Sequence, residues 1–272
     1  WHWSSDFSEP LAAKIAGIPW VFTKKSMGWG NKAWKWRSAL STKIITINSD
    51  MNAFYASKIK RKVVAIPLGV DINYYSPSNT LKAASLHIIE KKPTDFFIVS
   101  VVNLIPIKGI EVLIQAVIAL NNPNVKLLIV GNDQGDYANK LKKQASGFST
   151  IQFLGKKADV RPYHAIADVF VIPTLKPGEG LPVAPLEAMA SGKIVLGSKV
   201  SGVKDILKDF PDCLFEPNNV SDLKTTILRI MDLNETAYIQ LEKSMHACVT
   251  QEYSVKQFID KHTLLYKNII AE

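Results

Sequence analysis

Between Gly178 and Gly192 the chain reads GEGLPVAPLEAMASG. Two carboxylates, Glu179 and Glu187, lie eight residues apart in it. If a helix starts near Leu181, with Pro182 in its first turn where a missing N–H costs nothing, the two would stand roughly 12 Å apart along the axis. That separation is too long for two carboxylates to share one proton or one glycosidic oxygen. It suits the two ends of an extended ligand with a phosphate between them, because carboxylates accept hydrogen bonds well from the vicinal hydroxyls of sugars and ribose. Gly178 and Gly180 allow backbone amides to approach a ligand closely. A helix N-terminus at the carboxyl end of a parallel strand is itself a phosphate site. The same spacing also fits a plain structural use, with Glu187 satisfying a helix end and Glu179 solvated in a loop.

The elements that would hold this segment follow from the pattern of apolar runs. From Phe96 the order is strand FFIVSVV, helix GIEVLIQAVIAL, strand VKLLIVG, a helix near Asp136–Gln144, strand IQFLG, helix DVRPYHAIA, strand VFVIPT and the helix holding PLEAMA. Strand KIVLGS, a short helix at Val203–Lys208 and strand CLF complete the set. Alternating strands and helices with nearly continuous apolar strands predict an α/β fold with a doubly wound parallel sheet of Rossmann-like type. Such a sheet binds ligands at the carboxyl ends of its strands. Before Phe96, strands IPWVFT, KIITIN and VVAIPLG with helix SDMNAFYASK make up about half of a second such domain. The polar stretch SPSNTLKAAS after Tyr75 reads as the linker. The expected division is residues 1–75, 76–250 and a C-terminal helix at 251–272 that packs back on the first domain. In that helix Val255, Phe258, Ile259, Leu265 and Ile269 fall near one face.

Composition narrows the partners. The 272 residues carry a net charge of +9, with 11 Lys/Arg against 4 Asp/Glu before residue 81 and 22 against 20 after it. A basic first part suggests an anionic partner. Lys24–Ser38, KKSMGWGNKAWKWRS, interleaves cations with three tryptophans. It could rest Lys24–Arg37 on an anionic membrane surface, contact nucleic acid, the less favoured partner, or be a solvated basic face with its tryptophans turned inward. No apolar run is long enough to span a membrane. The chain begins with Trp and its first Met is Met27, so an N-terminal portion is expected to be missing. Cys213 and Cys248 lack metal-ligand or disulfide-framework spacing and read as small core residues of a cytoplasmic protein. His87, His164, His246 and His262 read as structural, His164 in a surface helix.

The segment EGLPVAPLEAMASG resembles the E-x7-E signature of retaining GT-B glycosyltransferases, specifically glycosyltransferase family 4 (glycosyltransferase group 1). IPLGVDINYYSP, VVNLIPIKGIEVLIQA, LLIVGND, IQFLGK, ADVFVIPT and SGVKDIL resemble further family segments in the family's order, from about residue 62 onward. The resemblance implies a metal-independent hexosyltransferase-like enzyme that needs no cofactor, acts in polysaccharide or lipopolysaccharide synthesis, and sits in the cytoplasm or peripherally on the inner face of the membrane. It would move a sugar from a nucleotide-sugar donor to a hydroxyl of a glycan or lipid-linked acceptor. Glu187 would then hold ribose hydroxyls, Glu179 the donor sugar and Lys108 the diphosphate. The amides of Gly180 and Leu181 would face the phosphates, Gly155 and Lys156 would border the base, and His2 would lie near the donor sugar. Asn103 stands where the family usually has Arg, which removes one bidentate cation. The chain has no Asp-x-Asp motif, so no catalytic metal is expected. A nucleotide-sugar-binding module without turnover and a nucleotide-sugar epimerase of the same architecture are the alternatives.

Overall fold

The computed structural model describes residues 7–27, 33–59, 62–78, 80–81 and 89–271. Two parallel sheets organise them. Strands β1 (Val21–Lys24), β2 (Lys43–Thr46) and β3 (Val63–Ala65) form the smaller sheet in the order β1-β2-β3. Its helices are α1 (Ser8–Ile15), α2 (Ala33–Leu40) and α3 (Ser49–Ile59). The larger sheet contains β4 (Phe96–Val101), β5 (Val125–Val130), β6 (Ile151–Phe153), β7 (Val169–Ile172), β8 (Ile194–Ser198) and β9 (Leu214–Phe215), all parallel, in the order β6-β5-β4-β7-β8-β9. Strand order reverses between β4 and β7, so the connections leaving those two strands run in opposite directions and open a crevice at their carboxyl ends. Each strand expected from the apolar runs is present.

The chemistry of the strands explains their burial. β7, Val-Phe-Val-Ile, is wholly buried, and β8 likewise. A strand covered by helices on both faces must be apolar at every position. Helix α5 (Ile110–Leu120) buries Ile110, Val112, Leu113, Ile114, Ala116 and Val117, because it is wedged between the sheet and α10 (Val220–Met231). Helices α6 (Asp136–Gln144), α7 (Arg161–Ile166), α8 (Ala184–Ala190) and α9 (Val203–Ile206) fill the remaining crossovers. Asp168 fixes the two switch strands to each other: its carboxylate accepts from the Phe97 N–H at 2.6 Å and pairs with Lys91 at 2.7 Å.

The smaller sheet is attached to the larger unit at three places. The short helix α4 (Ile72–Tyr75) is capped by Asp71, whose side chain accepts from the Tyr74 N–H. Just before it, Val70 exchanges backbone hydrogen bonds with Tyr253 and Val255 at 2.7 and 3.0 Å, at the joint between α11 (Glu235–Glu252) and α12 (Val255–Ala271). Helix α12 then lays Leu265 and Ile269 onto Ile45 and Ile66 of the smaller unit. At the third place Asn48 and Asp50, at the start of α3, reach the loops after β7 and β8. Asp50 accepts from Lys204 at 2.8 Å and from the Ser201 hydroxyl, and Asp205 accepts from the Ser49 N–H at 2.7 Å. No helix among the described residues is long and apolar enough to cross a membrane.

Leu265→Ala is expected to lower stability by about 2–3 kcal/mol in urea unfolding, because its side chain is buried on the smaller sheet. Leu264→Ala, at a neighbouring position 62% exposed, is the control and should change stability by less than about 0.5 kcal/mol.

Candidate active site

A cleft of about 490 Å³ lies over the switch point. Its walls come from the carboxyl end of each strand on that side: Asn103 after β4, Gly131 after β5, Lys156 after β6, and Glu179 with Val183 after β7. Lys108 also lines it. Of the residues singled out in the sequence, Asn103, Lys108, Lys156 and Glu179 thus share one space. Gly155 adjoins Lys156 and accepts from the Gly131 N–H at 3.1 Å.

Lys108 is positioned by its turn. Pro106–Lys108 form a single 3₁₀ turn after β4, closed by Gly109 at φ 62°. A side chain at Gly109 would come within 2.2 Å of the Pro173 carbonyl, so glycine alone lets this turn lie on the exit of β7. The Leu175 N–H donates to the Ile107 carbonyl at 2.8 Å and ties the two loops across the crevice. Lys108 consequently forms an ion pair with Glu179, the two side chains being only 16% and 17% exposed. The other Glu179 oxygen accepts from the Thr174 hydroxyl at 2.6 Å, and the Glu179 N–H donates to Ser201 at 2.9 Å.

The next residues depart from expectation. Helix α8 begins at Ala184, three residues after Leu181, and Pro185 rather than Pro182 occupies its first turn. Tertiary contacts hold the intervening loop out of the helix. The Asn48 amide donates to the carbonyls of Glu179 and Gly180, at 3.2 and 2.6 Å. Gly180 is pressed so closely on the Lys25 carbonyl that a Cβ would meet it at 2.0 Å. Leu181 is buried. In a trans peptide the N–H points opposite the preceding C=O. With both carbonyls turned to Asn48, the amides of Gly180 and Leu181 face the other way, and neither donates to another described residue.

Glu187 stands apart from the cleft's lining, one helical turn beyond Ala184, and is 19% exposed. Burial raises its pKa, while the Tyr75 hydroxyl beside it acts in the opposite direction. Burial and the Glu187 charge together push the Tyr75 phenol up. Tyr75 comes from α4. On the protein side of Glu187 lies His164, and here the surface-helix expectation is wrong. His164 is fully buried, with Phe170 of β7 and Tyr75 as ring neighbours at centroid distances of 5.6 and 6.2 Å. Helix α7 is only six residues long and lies against the start of the sheet, so the side chain facing β7 has no route to solvent. Burial, reinforced by the Lys193 charge and opposed by Asp159, lowers the His164 pKa to about 3. The ring is therefore neutral, and its 4.0 Å approach to Glu187 is not an ion pair.

Thr174, Asn48, Tyr75 and His164 are the residues that sequence reasoning did not assign to the site. His2 and His87 lie outside the described residues. Of the basic stretch, residues 28–32 also lie outside them. Within the rest, Lys24 is buried and Trp34 packs on Phe54 at 5.4 Å, whereas Trp36 is 64% exposed. Trp34 and Trp36 thus do not share one face. Asp209, Cys248 and Glu252 alone, among the described residues, are close enough to share a metal ion, and none of them lines the cleft.

Comparison with known proteins gives four findings. Residues 83–245, more than half of the chain, match the family model described as glycosyl transferases group 1. The chain is 24% identical to the UDP-Gal:alpha-D-GlcNAc-diphosphoundecaprenol alpha-1,3-galactosyltransferase of Escherichia coli, over 96% of this chain and 72% of that one. It is 26% identical to the N,N'-diacetylbacillosaminyl-diphospho-undecaprenol alpha-1,3-N-acetylgalactosaminyltransferase of Campylobacter jejuni, over 67% of this chain but only 46% of that one, so it spans about half the length of that relative. Among solved structures, Anabaena Alr3699/HepE in complex with UDP and glucose superposes with a TM-score of 0.81 at 21% identity, over 95% of this chain and 74% of that one. The fold is the GT-B type.

The neutral buried His164 makes stability depend on pH. Its folded pKa lies below its unfolded value, so its contribution is complete above about 6.5 and is lost as the pH falls toward about 3. Between pH 7 and 5 this removes about 2 kcal/mol. His164→Phe should flatten that part of the stability profile, measured by urea unfolding at each pH.

Proposed function

The chain belongs to the glycosyl transferases group 1 family, and from that membership we propose that it transfers a sugar, with retention of configuration, from a nucleotide-sugar to a hydroxyl of a lipid-linked glycan. UDP-sugars are the first donors to test, because the E. coli relative is named for UDP-Gal and the Anabaena structure holds UDP. The observation that carries the reading is the Lys108–Glu179 pair at the switch point.

In this reading the donor's diphosphate displaces Glu179 from Lys108. Glu179 then turns to the hydroxyls of the sugar, still held by Thr174. As the anomeric C–O bond breaks, negative charge grows on the departing diphosphate. Lys108 and the amides of Gly180 and Leu181 oppose that charge more strongly in the transition state than in the bound donor. Glu187 takes the ribose, with Gly155 and Lys156 beside the base. A donor phosphate oxygen accepts the acceptor's proton on the face from which the leaving group departs, which retains configuration. Asn103 contributes a hydrogen bond where an arginine would bring charge. The smaller unit, within residues 1–75, is the acceptor side and 76–250 the donor side. The exposed Lys35 and Trp36 are the part of the basic stretch that would meet an anionic membrane surface on the cytoplasmic side.

A thermal-shift panel of UDP-, GDP- and ADP-sugars should show a rise in Tm with one donor class, lost in Glu187→Ala; equal shifts in both proteins would overturn the site. Lys108→Ala should cut transfer by about 10²–10³-fold, followed as nucleoside diphosphate released. NMR of the product should show the donor's anomeric configuration kept, and an inverted product would refute retention.

A further inference from the structure

A fully buried imidazole with no hydrogen-bond partner on either nitrogen is costly. His164 is such a group: neither Nδ1 nor Nε2 has a partner among the described residues, and its exposure is 0%. A buried polar group left unsatisfied destabilises the fold. The surroundings would accept an apolar ring in its place, since Phe170 and Tyr75 already enclose it with aromatic faces and edges. What a phenyl ring lacks is an N–H, and the Nε2 atom stands 4.0 Å from the Glu187 Oε2. A hydrogen bond needs about 2.7–3.2 Å, so a small rotation of the glutamate side chain closes the gap.

We propose that His164 is a positioning residue for Glu187: its Nε2–H closes on the inward lone pairs of the carboxylate when a ribose binds and leaves the outward lone pairs aimed at the 2′- and 3′-hydroxyls. The inference rests on the reading of Glu187 as the ribose acceptor. A neutral donor suits this task. A cation at 4 Å would compete with the ribose for the carboxylate, whereas an imidazole N–H satisfies one side of it and leaves the other side open. The Tyr75 hydroxyl, next to the same carboxylate, supplies the second neutral group. Lys193 and Asp159 are the charged side chains that act on the ring from outside. Their effects on its protonation oppose each other, and the ring stays uncharged.

Calorimetry with UDP, GDP and ADP, each beside its 2′,3′-dideoxy form, tests this on the whole chain. For the nucleotide that binds, His164→Phe should weaken affinity about tenfold, the effect of one hydrogen bond to a charged acceptor. It should change affinity for the dideoxy form by less than about twofold. His164→Gln, which keeps an N–H at a similar reach, should restore most of the affinity. His164→Phe combined with Glu187→Gln should bind no more weakly than Glu187→Gln alone. If His164→Phe does not fold, His164→Asn, whose amide is too short to reach, should give the same pattern. Unchanged UDP, GDP or ADP binding in His164→Phe alongside weak binding in Glu187→Gln would overturn the inference and leave the ribose reading standing. Equal losses for the ribose and dideoxy forms would also overturn it, as a packing effect. Unchanged binding in Glu187→Gln would overturn the ribose reading and this inference with it.

Discussion

Lys108 and Glu179 lie 71 residues apart in sequence, and their charges meet at the mouth of the larger sheet. Each is about one-sixth exposed, so neither can be left alone without a large desolvation cost. Their pairing requires that the turn after β4 and the loop after β7 run side by side, which only adjacent strands at the reversal of strand order can provide. Gly109 lets the turn settle on the Pro173 carbonyl, and the Leu175 amide binds the two loops together. Asp168 fixes the opposite end of the same strands. The pair keeps a cation and a carboxylate in the cleft, each satisfied by the other.

The smaller unit acts on this site without lining the cleft. Asn48 holds the carbonyls of Glu179 and Gly180, and Lys25 presses on Gly180. The loop that presents Glu179 therefore takes its shape from another part of the chain. Asp50, and the Ser49 N–H that donates to Asp205, brace the neighbouring segment after β8 in the same way. Any shift of α3 relative to the larger sheet would be felt in the peptide planes beside Glu179. This gives a physical route by which events on one side of the molecule reach groups on the other.

Much of the architecture was legible from residue order. Six apolar runs at strand length, alternating with helical patterns, could form only a parallel sheet with crossovers, and the site had to lie at its carboxyl edge. Glu179 drew attention by its spacing from Glu187, whereas Asn103, Lys108 and Lys156 were identifiable only because their segments resemble those of the family. The start of α8 was not, since Leu181-Pro182 and Ala184-Pro185 are equally good opening turns on local preference. Contacts from Asn48 and Lys25, more than 130 positions away, decided between them.

His164 marks the same boundary. Local sequence makes it one polar residue of a short helix, with nothing to show which way it faces. The sequence by itself determined the sheet, its crossovers and the edge where charge collects, because burial on both faces of a strand demands continuous apolar runs. Only the tertiary structure decided that Lys108 pairs with Glu179, that Tyr75 and a neutral His164 stand beside Glu187, and that the residues from Leu181 to Val183 stay out of the helix that follows. Those outcomes depend on which distant groups arrive at one point, and no local preference encodes that.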